Sequence, residues 1–153
     1  ADVNARMVSG TTPLMAAVAN RRVKLTRLLV RKGAEVNAVN PEHGASVLHM
    51  AAAGGDPEII EFLLSEGAEV ACQKNDGWTP LHTAAYEGHL AAATALIDGG
   101  AIVDAESFDG TTPLRAAELG YHNEVIEFLN MVPDGRSSNK GVERRSRWWQ
   151  FWK

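Results

Sequence analysis

The sequence predicts an all-α solenoid: four stacked helix-turn-helix units joined by β-hairpin loops. Three observations predict it. The segments Thr12-Pro13-Leu14-Met15, Ser46-Val47-Leu48-His49, Thr79-Pro80-Leu81-His82 and Thr112-Pro113-Leu114-Arg115 begin at spacings of 34, 33 and 33 residues. A glycine precedes each (Gly10, Gly44, Gly77, Gly110), and a Gly-Ala pair follows three of them (Gly33-Ala34, Gly67-Ala68, Gly100-Ala101). Between these marks apolar residues recur at helical spacing. A fixed period of this length means that each unit buries its apolar side only against its neighbours.

Within a unit the first helix opens at Thr12, Ser46, Thr79 or Thr112, whose hydroxyl suits an N-cap because it accepts a free amide of the first turn. Proline follows in three units, at the one helical position where its missing N–H costs nothing; Val47 replaces it in the second. Alanine pairs (Ala16-Ala17, Ala51-Ala52, Ala84-Ala85, Ala116-Ala117) let the first helices approach closely. Asn20, Gly54-Gly55, Gly88 and Gly120 then supply a left-handed turn into the second helix. The second helices carry Leu25, Leu28 and Leu29; Ile59, Ile60, Phe62 and Leu63; Leu90, Ala93, Leu96 and Ile97; Val125, Ile126, Phe128 and Leu129 as their apolar sides. Gly33, Gly67 and Gly100 end the first three. The short polar stretch to the next cap, such as residues 70–77, reads as a hairpin or loop.

At Asp76-Gly77-Trp78-Thr79-Pro80-Leu81-His82-Thr83-Ala84-Ala85-Tyr86-Glu87-Gly88-His89 the sequence resembles the ankyrin repeat family almost residue for residue. The resemblance covers residues 1–131, with repeats at about 10–36, 44–70, 77–103 and 110–131. Residues 132–141 have linker composition and residues 142–153 form a separate basic, aromatic segment. Ala1-Asp2-Val3-Asn4-Ala5 looks like the end of a preceding repeat, from a longer array or a bare half-hairpin. Several positions depart from the family. Arg21 and Tyr121 stand where it places the inter-helix glycine, with Asn20 and Gly120 one residue earlier available to shift the turn. The loop at residues 39–43 is one residue longer. Pro133 replaces the last closing glycine, and Asn123, Glu124, Glu127 and Asn130 give the last helix the polar character of a capping unit.

The resemblance implies a protein-binding module, used as adaptor, scaffold or regulatory subunit. Its partner would lie along the loop tips and the exposed face of the first helices. Carried over by position, the binding residues are Glu42, His43, Asn75, Asp76, Trp78, Tyr86, Glu87, Phe108, Asp109 and Leu119, with Val8, Ser9, Thr11, Ala19, Ala45, Ala53 and Thr111 completing the row. Trp78, Tyr86 and Phe108 are interleaved with acids, a composition typical of interface anchors; the competing role for Trp78 is packing between loops. The family also implies that His49 and His82 tie neighbouring loops by hydrogen bonds. Asn37 resembles asparagines that become hydroxylated, against the plainer role of steadying its loop.

Charge narrows the partner. The net charge of −4 conceals six cations and no acid in residues 21–32, a balance of −14 over residues 33–130, and +4 from Met131 onward. So acidic a middle disfavours nucleic acid and favours a basic protein or peptide. No cofactor is expected. His43, His49, His82, His89 and His122 lack metal-ligand spacing, and Cys72 has no partner cysteine; structural roles are the expectation for His49, His82 and Cys72. No phosphate-binding loop, zinc-hydrolase motif or nucleophile elbow is present, so no enzyme is expected. The single cysteine and the lack of a leader-like start point to an intracellular, cytoplasmic setting.

The segment Arg144-Arg145-Ser146-Arg147-Trp148-Trp149-Gln150-Phe151-Trp152-Lys153 holds three of the four tryptophans. As a helix it would place Trp148, Phe151 and Trp152 on one side. Three roles stay open on sequence grounds. It could anchor on anionic membrane, with the repeats presenting cargo. It could dock on an acidic repeat surface of its own or a neighbouring chain, or serve as a ligand for another protein. It could also have no role.

Overall fold

The structure, a computed structural model, describes residues 2–133. Eight helices lie in these residues: α1 (Pro13–Ala19), α2 (Val23–Arg31), α3 (Val47–Gly54), α4 (Pro57–Ser65), α5 (Pro80–Glu87), α6 (Leu90–Asp98), α7 (Pro113–Leu119) and α8 (Asn123–Met131). The odd-numbered helices stack on one another in chain order, and so do the even-numbered ones. The result is the expected all-α repeat solenoid.

The caps hold as the sequence requires. The hydroxyls of Thr12, Ser46 and Thr112 accept the amides of Met15, His49 and Arg115 at 3.2–3.3 Å. In the third unit the Thr79 hydroxyl lies 2.9 Å from His82 Nδ1. Each cap fixes the same register, so Leu14, Leu48 and Leu81 fall on equivalent sites and are 0–1% exposed. Leu114 takes the fourth such site, where no further layer among the described residues covers it, and is only partly buried.

Comparing end units with inner ones shows which way each position looks. Thr26, Ile60 and Ala93 are wholly buried, whereas Ile126 at the same site of the last unit is part-exposed. That site faces the following layer. Conversely, Val125 and Phe128 are buried while their counterparts Leu25 and Leu28 in the first unit are 44% and 50% exposed. Those sites face the preceding layer. The expectation that Leu25 and Leu28 are core residues is therefore corrected for the described residues: their helix has no layer before it to bury them.

The loops also differ from expectation. No strand forms among the described residues; one isolated antiparallel bridge, Val39–Ser46, is the nearest approach to a β-hairpin. The tips are tight turns instead, closed by Met7 N–H to Thr11 O, Lys74 N–H to Trp78 O and Ser107 N–H to Thr111 O, each at 2.9 Å. One amide in each of the third and fourth tips turns sideways to the preceding tip, Asn75 N–H to His43 O and Phe108 N–H to Asp76 O. A ladder within one loop cannot grow once its donors serve the neighbour. The longer second tip is visible in its closure, Gly44 N–H to Asn40 O, where the others close one residue sooner.

The inter-helix turns bring a second correction. Gly55 and Gly88 are left-handed as expected, but in units one and four the left-handed residues are Arg21 (φ 55°) and Tyr121 (φ 60°), not Asn20 or Gly120. The turn does not shift. Arg22 N–H bonds Ala17 O and His122 N–H bonds Ala117 O, as His89 N–H bonds Ala84 O in unit three. Gly120 is needed for space, since a Cβ there would collide with the Tyr86 carbonyl oxygen. A side chain in the left-handed region costs roughly 1–2 kcal/mol, partly offset by the greater chain entropy of glycine. Tyr121→Gly should accordingly raise unfolding stability by roughly 0.5–1 kcal/mol, and Gly120→Ala should lower it. Urea titration of both variants checks the pair.

Candidate functional site

The first helices present one position in register along the stack. Ala19, Ala53, Tyr86 and Leu119 occupy the same site of α1, α3, α5 and α7, and all four are exposed. The last two make the row apolar and bulky: Tyr86 is 44% and Leu119 48% exposed. Tyr121, two residues beyond Leu119, is also solvent-facing. Sequence reasoning treated it only as a departure in the turn; its size at a glycine site was the available signal.

The tips form the second edge. Phe108 projects at 73% exposure. Asp76 and Asp109 shape the tips that carry them, since Asp76 Oδ1 accepts Trp78 N–H at 2.9 Å and Asp109 Oδ1 accepts the Ser107 hydroxyl at 2.6 Å and Thr111 N–H at 3.0 Å. Those donors, the Ser107 hydroxyl first, hold the Asp109 carboxyl down at about 2, so it is anionic at any physiological pH. Asn75 donates its amide to Glu42 O at 3.3 Å, and Glu42 and His43 stand exposed side by side. Glu87 is exposed at the end of α5. Trp78 is partly buried: its ring packs edge-on to Tyr86 at 5.6 Å and against His82, with Lys74 Nζ 5.3 Å from its centre. Trp78 therefore supports the tyrosine as well as bordering the surface.

Histidines fix the spacing of this surface. His49 Nε2 donates to Trp78 O and His82 Nε2 to Thr111 O, both at 2.8 Å, each reaching from one unit to the next. The tautomer is forced, because the carbonyl can only accept while Nδ1 faces the amides of Ser46 and Thr79, which only donate. Burial pushes His49 down to about 4 and His82 in the same direction, so both are neutral. Farther along two of the loops an asparagine clasps the next unit. Asn37 donates to Gly67 O and accepts Glu69 N–H, and Asn4 does the same with Gly33 O and Glu35 N–H. This matches the loop-steadying role for Asn37.

Cys72 Sγ lies 3.1 Å from Ser46 Oγ and 3.8 Å from His49 Nδ1. Burial raises its pKa, which keeps it a thiol rather than a nucleophilic thiolate. Among the described residues no group of three or more His, Cys, Asp or Glu could hold a metal ion, and no helix is long and apolar enough to cross a membrane. The candidates Arg144, Arg145, Arg147, Trp148, Trp149, Phe151 and Trp152 lie outside the described residues.

Comparison with known proteins agrees with this geometry. The family model for ankyrin repeats (3 copies) matches residues 48–134, and that for ankyrin repeats (many copies) matches residues 14–64. The chain is 39% identical over 70 residues, 46% of its length, to rat ankyrin repeat and SAM domain-containing protein 6. It is 37% identical over 81 residues, 52% of its length, to the ankyrin repeat and KH domain-containing protein mask of Drosophila melanogaster. Over 74 residues, 48% of its length, it is 42% identical to human neurogenic locus notch homolog protein 2. These matches span 8%, 2% and 3% of the relatives' own lengths. With the repeat register, the caps and the histidine ties already in place, the matched span leaves one conclusion: the chain belongs to the ankyrin repeat family, whose repeats are general protein-protein interaction modules.

Proposed function

We propose that this chain is an adaptor, scaffold or regulatory module that holds a basic protein or peptide against the tips and first-helix face of its second to fourth units. The observation that carries this reading is the apolar row of Tyr86, Leu119 and Phe108, rimmed by Glu42, Asp76, Glu87 and Asp109. Exposed aromatics supply anchor area at low entropy cost, and the acids steer cationic partners toward them. The residues beneath are tied from unit to unit by His49, His82 and the tip amides, so the surface is ordered before a partner arrives. An intracellular setting suits this reading, because the lone Cys72 is a free thiol.

Phe108 offers the cleanest test, since its side chain is mostly in solvent and its removal spares the core. Immobilised wild-type chain should capture a partner that Phe108→Ala and Tyr86→Ala retain poorly. The purified partner should then bind each variant at least about tenfold more weakly, the scale of an interface anchor. Raising salt should weaken binding further, as screening of the acid rim requires. Equal affinity for wild type and both variants would refute the placement.

A further inference from the structure

Among the described residues both ends of the stack are uncovered, and they carry opposite charge. At its start, Leu25 and Leu28 stand exposed among Arg21, Lys24, Arg31 and Lys32. At the other end, the forward-looking sites of the fourth unit hold Leu114 and Ile126, part-exposed where their counterparts are buried. Glu118 takes the place of Val18, Ala52 and Ala85, which are 0–1% exposed in the layers that have a successor. Glu127 takes the place of Arg27, which in the first unit reaches forward to Glu58 at 3.2 Å and lies 4.6 Å over the Phe62 ring. Arg115, 2.9 Å from Glu118, is the one cation on α7 and α8. The seam that Arg27 makes with its neighbour is thus built from a cation, a carboxylate and an aromatic ring, and the fourth unit offers the carboxylate alone.

We propose that residues 142–153 of the same molecule dock on this forward face of the fourth unit, their aromatics over Leu114 and Ile126 and their arginines toward Glu118 and Glu127. The segment carries what the face lacks: Arg144, Arg145 and Arg147, followed by Trp148, Trp149, Phe151 and Trp152. Reach is sufficient. The eight residues 134–141 span up to about 26 Å when extended, against about 13 Å for the length of a nine-residue helix such as α8. The cations of α2 turn the same segment away from the opposite end. A short tether gives an effective concentration in the millimolar range, which favours docking within one molecule over docking between two. The acidic middle of the chain opposes approach of an anionic bilayer. This face is separate from the tips and the Tyr86–Leu119 row, so the inference stands apart from the proposed partner site.

Nuclear Overhauser contacts in the isotope-labelled full chain test it. Indole protons of Trp148 and Trp152 should show contacts to the methyl groups of Leu114 and Ile126. These contacts should persist unchanged on tenfold dilution and vanish in the variant Trp148→Ser with Trp152→Ser. Those substitutions lie outside the repeats and leave the fold in place, so the Leu114 and Ile126 signals remain to report the loss. Tail indoles with solvent-like shifts and no such contacts would overturn the proposal. So would contacts that fade on dilution, which mean docking on a second copy, or indoles that respond only to phosphatidylserine vesicles, which mean a membrane site.

Discussion

Replacing Leu81 by alanine should cost the folded state about 3 kcal/mol, and the same change at Leu114 no more than about half of that. The two leucines occupy the same site of successive first helices, each second in its helix after the proline that follows a threonine cap. Leu81 is wholly buried between layers, so truncation leaves a cavity lined by side chains that α3, α5 and α7 hold in place. Its cost combines the lost transfer energy of three carbons with the lost contacts around the void. Among the described residues Leu114 has a layer on one side only, so water can fill what truncation removes. Urea denaturation of Leu48→Ala, Leu81→Ala and Leu114→Ala gives the comparison directly. Equal losses at positions 81 and 114 would mean that the layers are not equivalent, and the repeat description would fail.

Acidification should weaken the stack as pH falls from about 6.5 toward 4. Burial holds His49 neutral, down to about 4 against an ordinary value near 6.5. A group whose folded pKa lies below its unfolded one contributes its full stability above the unfolded value and loses it as pH falls toward the folded one. For His49 that window runs from about pH 6.5 to 4, and the loss at pH 5 is roughly 2 kcal/mol. His82, lowered for the same reason, adds a term of the same sign. Asp109, held at about 2, stays charged throughout the window and does not confuse it. The geometry explains the penalty: a proton on Nδ1 would face the Ser46 amide proton across 3.2 Å. His49→Gln should therefore be less stable than wild type at pH 7 and lose less stability between pH 7 and 5. Parallel pH profiles for the two proteins would show that His49 is not the titrating group.

What the sequence revealed and what it concealed divide along physical lines. The unit register was legible because Thr-Pro-Leu is a chemical statement about a helix start: acceptor, missing donor, buried anchor. The histidine ties came through the resemblance and agree with the geometry of His49 and His82. The exposure of Leu25 and Leu28 was not legible, because a residue's burial in a solenoid depends on the layer beside it and not on its own helix. The left-handed turns at Arg21 and Tyr121 were missed for a related reason. Glycine was read there as conformational freedom, whereas Gly120 supplies room against Tyr86 and leaves the strained angle to its neighbour. The tip aromatics were named from position alone. That Trp78 leans on Tyr86 while Phe108 projects into solvent needed coordinates, since both are large rings in the tips.

The asparagine clasps are unevenly spread. Asn4 and Asn37 each grip the next unit by two hydrogen bonds, but the corresponding place in the second unit is Ala71, whose methyl can neither donate nor accept. Units two and three therefore lack this asparagine clasp, while His49, the tip amides and His89, whose Nε2 lies 3.0 Å from Ala53 O, still join them elsewhere. A seam that has lost one of its clasps leans the more on side-chain packing there, and that is where the stack should yield first under strain.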